Sequence, residues 1–326
     1  MAISRFARPK PAYTPIGNDE TIRILQALDP YDAAEVLPTN WLIWRAGMNY
    51  RAGQEKLATL DGAGLIEGFI FSEVVNWSEM FKYVRTPAGE RYLADRGFHA
   101  QPYNRAIAKK PHQLLSSLIQ TSISMGVHAD PNFSIDTVRD LLNHPRCPAE
   151  TRASKYPFSF HINGQRLTPD GKPMVLRRKD PRDAKLLLRE DDRHKEQITA
   201  SSYATTIHEK LVKWNVVFKN KLFEAKYGIS SAVLLFTTVN DRHKDNIKEE
   251  IKRTLGAPSW LLIKSIPQFA RISTRIEPTT ELFDTPWERV GHPPYYLSTL
   301  SPAKPNSDLP SLAEAVRAYK EKVGAV

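Results

Sequence analysis

Three consecutive acids, Glu190-Asp191-Asp192, follow the apolar run Leu186-Leu187-Leu188, and Asp170 stands twenty residues before Glu190 within Pro169-Asp170-Gly171. A strand core of leucines draws its continuation toward the interior, where an ionised carboxylate without a partner is costly. A chain that folds around this segment must supply that partner. A divalent cation is one choice, and a set of arginines and lysines is another. Cations are at hand, with nine Lys/Arg against five Asp/Glu between Lys172 and Lys195. Two plainer readings compete. Pro-Asp-Gly is a strong turn signal, and Glu190 to Asp192 suit the positive end of a following helix.

The chain has 326 residues, enough for two domains that each bury a core. With 41% apolar and 25% charged residues it has the composition of a water-soluble globular protein. No apolar run approaches the roughly 18 residues that span a bilayer, so no membrane partner is expected. Met1-Ala2-Ile3-Ser4-Arg5 lacks the apolar core of a secretion signal. The single cysteine, Cys147, excludes a disulfide framework and a cysteine metal cluster. A cytoplasmic location is the resulting expectation. The histidines are scattered, with no HxxxH or HExxH spacing, and neither GxxxxGK[ST] nor GxGxxG occurs. A net charge of +10 points toward polyanions.

Residues 1–17 hold Arg5, Arg8 and Lys10 among three prolines and read as a flexible basic arm. From Asn18 to Gly97 the pattern is that of a winged helix-turn-helix. Ile22, Ile24-Leu25 and Leu28 mark a first helix, and Trp41, Leu42 and Trp44 after Thr39 a second. A third follows Asn49, a good cap, and stops at Gly62-Ala63-Gly64. Leu65 to Phe71 and Phe81 to Arg85 form two strands around a polar tip, and Thr86-Pro87 opens a closing helix. Duplex DNA recognition needs long polar side chains on the third helix and cations on the wing. The candidates are Tyr50, Arg51, Gln54 and Lys56, with Arg45 in the turn before them and Lys82 and Arg85 on the wing. A winged helix used only for protein contact is the alternative.

Residues 98–157 read as a helical linker, with a helix from His112 to about Met125, a short helix from Phe133 to Asn143, and a loop from Pro145 to Pro157. Residues 158–283 alternate strands and helices. Arg166 to Thr168, Met174 to Leu176 and Ala184 to Leu188 precede a helix from about Glu196 to Lys219. Then come strand Ala232 to Phe236, helix Asn240 to Leu255 and strand Trp260 to Ile266. This order implies a sheet flanked by helices. Ile198, Tyr203, Ile207, Leu211, Trp214 and Phe218 form the core stripe of the long helix, with Lys210 at its edge. Residues 284–326 read as a proline-rich tail ending in an amphipathic helix.

Metal-dependent nucleases of the PD-(D/E)xK type set an aspartate at one strand end and a glutamate two residues before a lysine on the next. The acids hold Mg²⁺ and the lysine helps position the attacking water. Pro169-Asp170 meets the first half; in the second, Asp192 takes the lysine's place, and Lys195 or Lys210 is the substitute.

The order of these parts resembles the replication-relaxation family of plasmid and mobile-element proteins. The resemblance rests on Tyr83-Val84-Arg85-Thr86-Pro87-Ala88-Gly89, Leu93, His112-Gln113-Leu114, Pro169-Asp170-Gly171, Glu190-Asp191-Asp192-Arg193, Lys210, Trp214 and Val233 to Thr237 with Arg242. It implies an α+β protein: an N-terminal winged helix joined to an α/β restriction-endonuclease-like domain. It also implies a role in plasmid DNA replication or relaxation, with double-stranded DNA as partner. Other replication or transfer proteins and a second copy of the chain are the further partners that this reading admits. The nuclease-like domain is expected to be degenerate and to offer a basic surface at Arg177, Arg178, Lys179 and Arg182. No cofactor is required unless the site is catalytic. In that case Asp170, Glu190 and Asp192 would hold Mg²⁺ beside Lys210 in an endonuclease or nickase. A winged-helix transcriptional regulator is the remaining alternative.

Overall fold

The computed structural model describes residues 2–4, 19–29, 31, 34–71, 81–98, 104–178, 184–193, 206–270 and 275–300. The chain is a mixed α+β protein that divides into two compact units. The first runs to Ala129 and takes back Arg271–Glu281; the second comprises Asp130–Ala270 and Leu282–Leu309.

In the first unit, β1 (Ala2–Ser4) precedes α1 (Asp19–Ala27), β2 (Leu37–Pro38), α2 (Thr39–Arg45) and α3 (Tyr50–Gly62). Next come β3 (Ile66–Phe71), β4 (Lys82–Arg85), α4 (Pro87–Ala94), α5 (Arg105–Ala108) and α6 (Pro111–Ala129). The strands form one antiparallel sheet in the order β1-β3-β4-β2. Local chemistry sets the helix starts: Asn49 accepts from Ala52 N, and Thr86 accepts from Gly89 N with Pro87 in the first turn. The turn between α2 and α3 passes through Gly47 at φ 68°, a conformation that favours glycine. Gly53 lets the two helices close, because a Cβ there would lie 2.6 Å from the Ile43 side chain.

Helix α6 was expected in a linker. It belongs instead to the first unit, and it is buried around nearly its whole circumference. Such a helix packs within a core rather than bridging through solvent. Its Ser117 hydroxyl accepts from Glu35 N and Val36 N. Residues 275–280 also return to this unit, where the Ile276 carbonyl accepts from Asn40 Nδ2 at 2.7 Å and Trp41 Nε1 at 2.8 Å.

The second unit begins with β5 (Phe133–Asp136), α7 (Val138–Asn143), α8 (Ala149–Ala153) and the hairpin β6 (Phe160–Ile162)–β7 (Gln165–Leu167). Then follow β8 (Gly171–Arg178), β9 (Ala184–Asp192), α9 (Ile207–Lys219), α10 (Leu222–Tyr227) and β10 (Ala232–Thr238). The last elements are α11 (Asp241–Leu255), β11 (Leu261–Ser265), α12 (Glu281–Asp284), β12 (Trp287–Arg289) and β13 (His292–Tyr295). Seven strands make one sheet in the order β13-β12-β11-β10-β9-β8-β5. Strands β9, β10 and β11 are parallel, and β8 and β5 continue antiparallel. Leu186, Leu188, Leu234, Phe236 and Ile263 on one face pack with Leu211, Trp214 and Val217 of α9 and Ile247 and Ile251 of α11.

Several expectations are corrected. Phe133–Asn143 is a strand and then a helix, because Thr137 and Asp140 close a capping box that starts the helix only at Val138. The loop expected at 145–157 contains α8. Within the tail, Trp287–Arg289 and His292–Tyr295 pair as strands, with Pro293 and Pro294 on the terminal strand of the sheet, where a missing donor is tolerated. Most of the basic arm, the wing tip, the first turns expected for the long helix and the terminal helix lie outside the described residues.

Candidate functional site

Strand β9 does not stop at its leucines. It runs through the acids to Asp192, hydrogen-bonded to β10 up to the pair Thr238–Asp192. The carboxylates are therefore neither a helix cap nor a surface run, and all three are buried. Alternation along a strand sends successive side chains to opposite faces. Glu190 and Asp192 share the face of Leu186 and Leu188, beneath α9 and α11, while Arg189 and Asp191 point the other way.

On the helix-covered face, Glu190 is fully buried and meets three groups. Lys210 Nζ of α9 lies 2.7 Å from Oε2, Trp214 Nε1 donates to Oε1 at 2.9 Å, and Asp170 hydrogen-bonds the same carboxyl. Lys210 also pairs with Asp170 Oδ2 at 3.2 Å. Lys210 and Trp214 are one helical turn apart, so one face of α9 presents both to the strand end. Asp170 is fixed at the entry to β8, its N–H donating to Arg189 O and its Oδ2 accepting from Asp191 N. Burial, and then the neighbouring Asp170 charge, push Glu190 well above its usual 4.5, against the pull of Lys210.

Asp192 is held separately. His243, in the first turn of α11, places Nε2 2.7 Å from Asp192 Oδ2, and both side chains are buried. On the opposite face Arg189 pairs with Asp191 at 2.5 Å, Thr237 Oγ1 donates to Asp191 Oδ1, and the guanidinium lies over Gly171. Of the expected group Asp170, Glu190, Asp192 and Lys210, three meet, with Trp214 of the core stripe joining them, while Asp192 pairs elsewhere. Sequence reasoning missed His243 and Arg189, which sit among ordinary strand and helix positions and carry no motif.

The Mg²⁺ set of Asp170, Glu190 and Asp192 does not assemble. Among the described residues no group of three or more His, Cys, Asp or Glu is placed to hold a metal ion. Alternation leaves Glu190 and Asp192 on one face, but two residues apart and under different helices. Both Glu190 oxygens are engaged by Lys210 and Trp214, so the lysine ammonium stands where a cation bridging Asp170 and Glu190 would be. These residues do not fit the three-carboxylate metal site.

The candidates for DNA contact separate equally clearly. On α3, Tyr50, Arg51 and Gln54 are exposed, and Lys56 is half-buried. The Arg51 side chain is 92% accessible and pairs with Glu55 one turn on, while Gln54 donates to the Tyr50 hydroxyl. Arg45 is half-buried and donates to Ser124. Lys82 and Arg85 were expected on the outside of the wing, yet both are fully buried. Strand β4 lies between β3 and β2. Arg85 pairs with buried Asp29 at 3.0 Å, and the Lys82 ammonium lies over the Phe71 ring. Neither presents its charge to a polyanion. In the second unit Arg177 pairs with Asp136 and Arg178 is exposed beside Phe133; Lys179 and Arg182 lie outside the described residues.

No helix among the described residues is long and apolar enough to cross a membrane. Comparison with protein-family models, with curated proteins and with solved structures finds no match to this chain.

Proposed function

We propose that the chain binds duplex DNA through a winged helix in its first unit, and that its second unit is a nuclease-like domain whose metal position is filled by Lys210. The observation that carries the binding reading is the contrast between α2 and α3. Helix α2 is buried from Thr39 to Trp44, whereas α3 turns Tyr50, Arg51 and Gln54 to solvent across a four-residue, glycine-containing turn. A packed first helix and an exposed polar second one is the arrangement by which a helix-turn-helix enters the major groove. Arginine there reads guanine or phosphate and glutamine reads adenine. The net charge of +10 favours the encounter.

Support for the nuclease-like reading is the order of β5, β8 and β9 antiparallel, then α9, then β10 parallel to β9, with Asp170, Glu190 and Lys210 converging at one end. The resemblance to the replication-relaxation family adds plasmid or mobile-element maintenance as the setting. Lys210 occupies the space between the acids, so this reading takes the second unit as a binding module rather than a hydrolase.

Gel shifts over a salt series test the binding. Arg51→Ala should weaken duplex affinity and reduce the salt slope by about 1, and Glu55→Gln should raise affinity by removing a like charge to phosphate. An Arg51→Ala variant that binds as well as the parent sinks the α3 reading. Supercoiled plasmid with Mg²⁺ should stay intact. Nicking by the parent that Glu190→Ala abolishes would instead establish an endonuclease.

A further inference from the structure

Hairpin β6–β7 turns through Asn163 at φ 50° and Gly164 at φ 76°, a two-residue turn with both residues left-handed. This pins the pairing of Ile162 with Gln165, so His161 stands opposite Arg166. Alternation buries Phe160, Ile162 and Leu167 and exposes His161 and Arg166. Just before the hairpin, Tyr156 is 43% exposed, unusual for so large a ring. The Arg166 guanidinium lies 4.3 Å from the Tyr156 ring centroid, and the Lys155 ammonium lies 5.4 Å from it. The Tyr156 ring, part-exposed with the Arg166 guanidinium over it and Lys155 close by, lies outside the core that the buried face of the hairpin supplies. Nucleic-acid strands offer what this surface fits: a flat base to stack and a phosphate to neutralise.

The position of the hairpin adds a second argument. Arg166 precedes Asp170 by four residues, so their Cα atoms lie within about 14 Å of each other by chain length alone. A strand crossing the end of the sheet at Asp170 reaches Arg166 within a few nucleotides, and Arg166 lies against Tyr156. Only an unpaired strand can offer a base face here, because bases in a duplex are stacked on each other.

The geometry points to a single-stranded DNA site on the second unit, in which Tyr156 stacks a base and Arg166, Lys155 and His161 line the backbone. It rests on the nucleic-acid reading of that unit and adds the kind of strand that the unit takes. Fluorescence anisotropy of the full chain tests it with a labelled single-stranded oligonucleotide and its matching duplex at one salt concentration. Tyr156→Leu should weaken single-strand binding about tenfold, Tyr156→Phe should retain it, and both should leave duplex binding unchanged. Failure of the parent to bind single strands would overturn the site. Equal loss in Leu and Phe variants, or equal loss on both ligands, would overturn it too. Arg51→Ala run beside them separates the two proposals: duplex binding that ignores Arg51 counts against α3, and single-strand binding that ignores Tyr156 counts against the platform.

Discussion

Replacing Lys210 by methionine removes the cation that pairs with both Asp170 and Glu190 and keeps the length of the side chain. Lys210 is 12% accessible and Glu190 is 0%, so little solvent is available to take over. Removing one partner of a buried pair costs about 3–5 kcal/mol while the remaining group stays charged. With a urea slope of about 2 kcal/mol per M, the midpoint should fall by roughly 1.5–2.5 M. That full loss should appear only where Glu190 has to ionise. Its folded value already lies above the usual 4.5 through burial and then Asp170, and Lys210 opposes that rise. An acid raised in the folded state contributes stability that is complete below its unfolded value and disappears as pH climbs through its folded value. Without Lys210 the folded value climbs further, so parent and variant converge in acid and separate as pH rises through the parent's folded value, which lies above the usual 4.5. Urea unfolding followed by tryptophan fluorescence at about pH 5 and about pH 8 reads the difference. Lys210→Met combined with Glu190→Gln should regain most of the loss and lose the pH dependence, since the amide oxygen still accepts from Trp214. An equal penalty at both pH values, or a double variant no better than the single one, would refute the charge argument.

Two further outcomes follow from buried geometry. Gly171→Ala would place a Cβ 2.3 Å from Arg189 Nε, and Arg189 is held by Asp191 with no exposed surface. It should cost about 1–3 kcal/mol, read as a fall in thermal midpoint; an unchanged midpoint would mean that the guanidinium has room to move. Arg85→Met should cost about 3–5 kcal/mol because Asp29 is left buried and charged, with part recovered by Asp29→Asn. The folded variant should keep the parent's salt slope for duplex DNA, and a smaller slope would contradict the burial of Arg85.

How much of this was legible follows from how far each signal travels along the chain. Caps and stripes are local: Asn49 and Thr86 predicted the starts of α3 and α4, and the stripe Ile207-Leu211-Trp214 the buried face of α9, whereas Lys210 at its edge turns to the acids and not outward to solvent. The turn at Asn163-Gly164 was equally local and was overlooked, because only Arg166 to Thr168 was read as a strand; with it goes the platform at Tyr156. The wing cations failed for a longer-range reason. Lys82 and Arg85 read as solvent-facing only if β4 has an open side, and the strand that closes it, β2, is two residues long and carries no periodicity. The partner of Arg85 is 56 residues away.

The acid run shows the same limit most sharply. Asp170, Glu190 and Asp192 were expected around one cation, yet sharing a strand face does not bring Glu190 and Asp192 to one point. Alternation sets Asp191 apart from Glu190 and Asp192, and those two meet different helices, so each acid is engaged by a different residue: Lys210, Arg189 or His243. A metal would need Asp170, Glu190 and Asp192 to surrender those partners together. Every partner lost leaves a buried charge uncompensated, so the interactions that hold the run inside the sheet also oppose its assembly into one site.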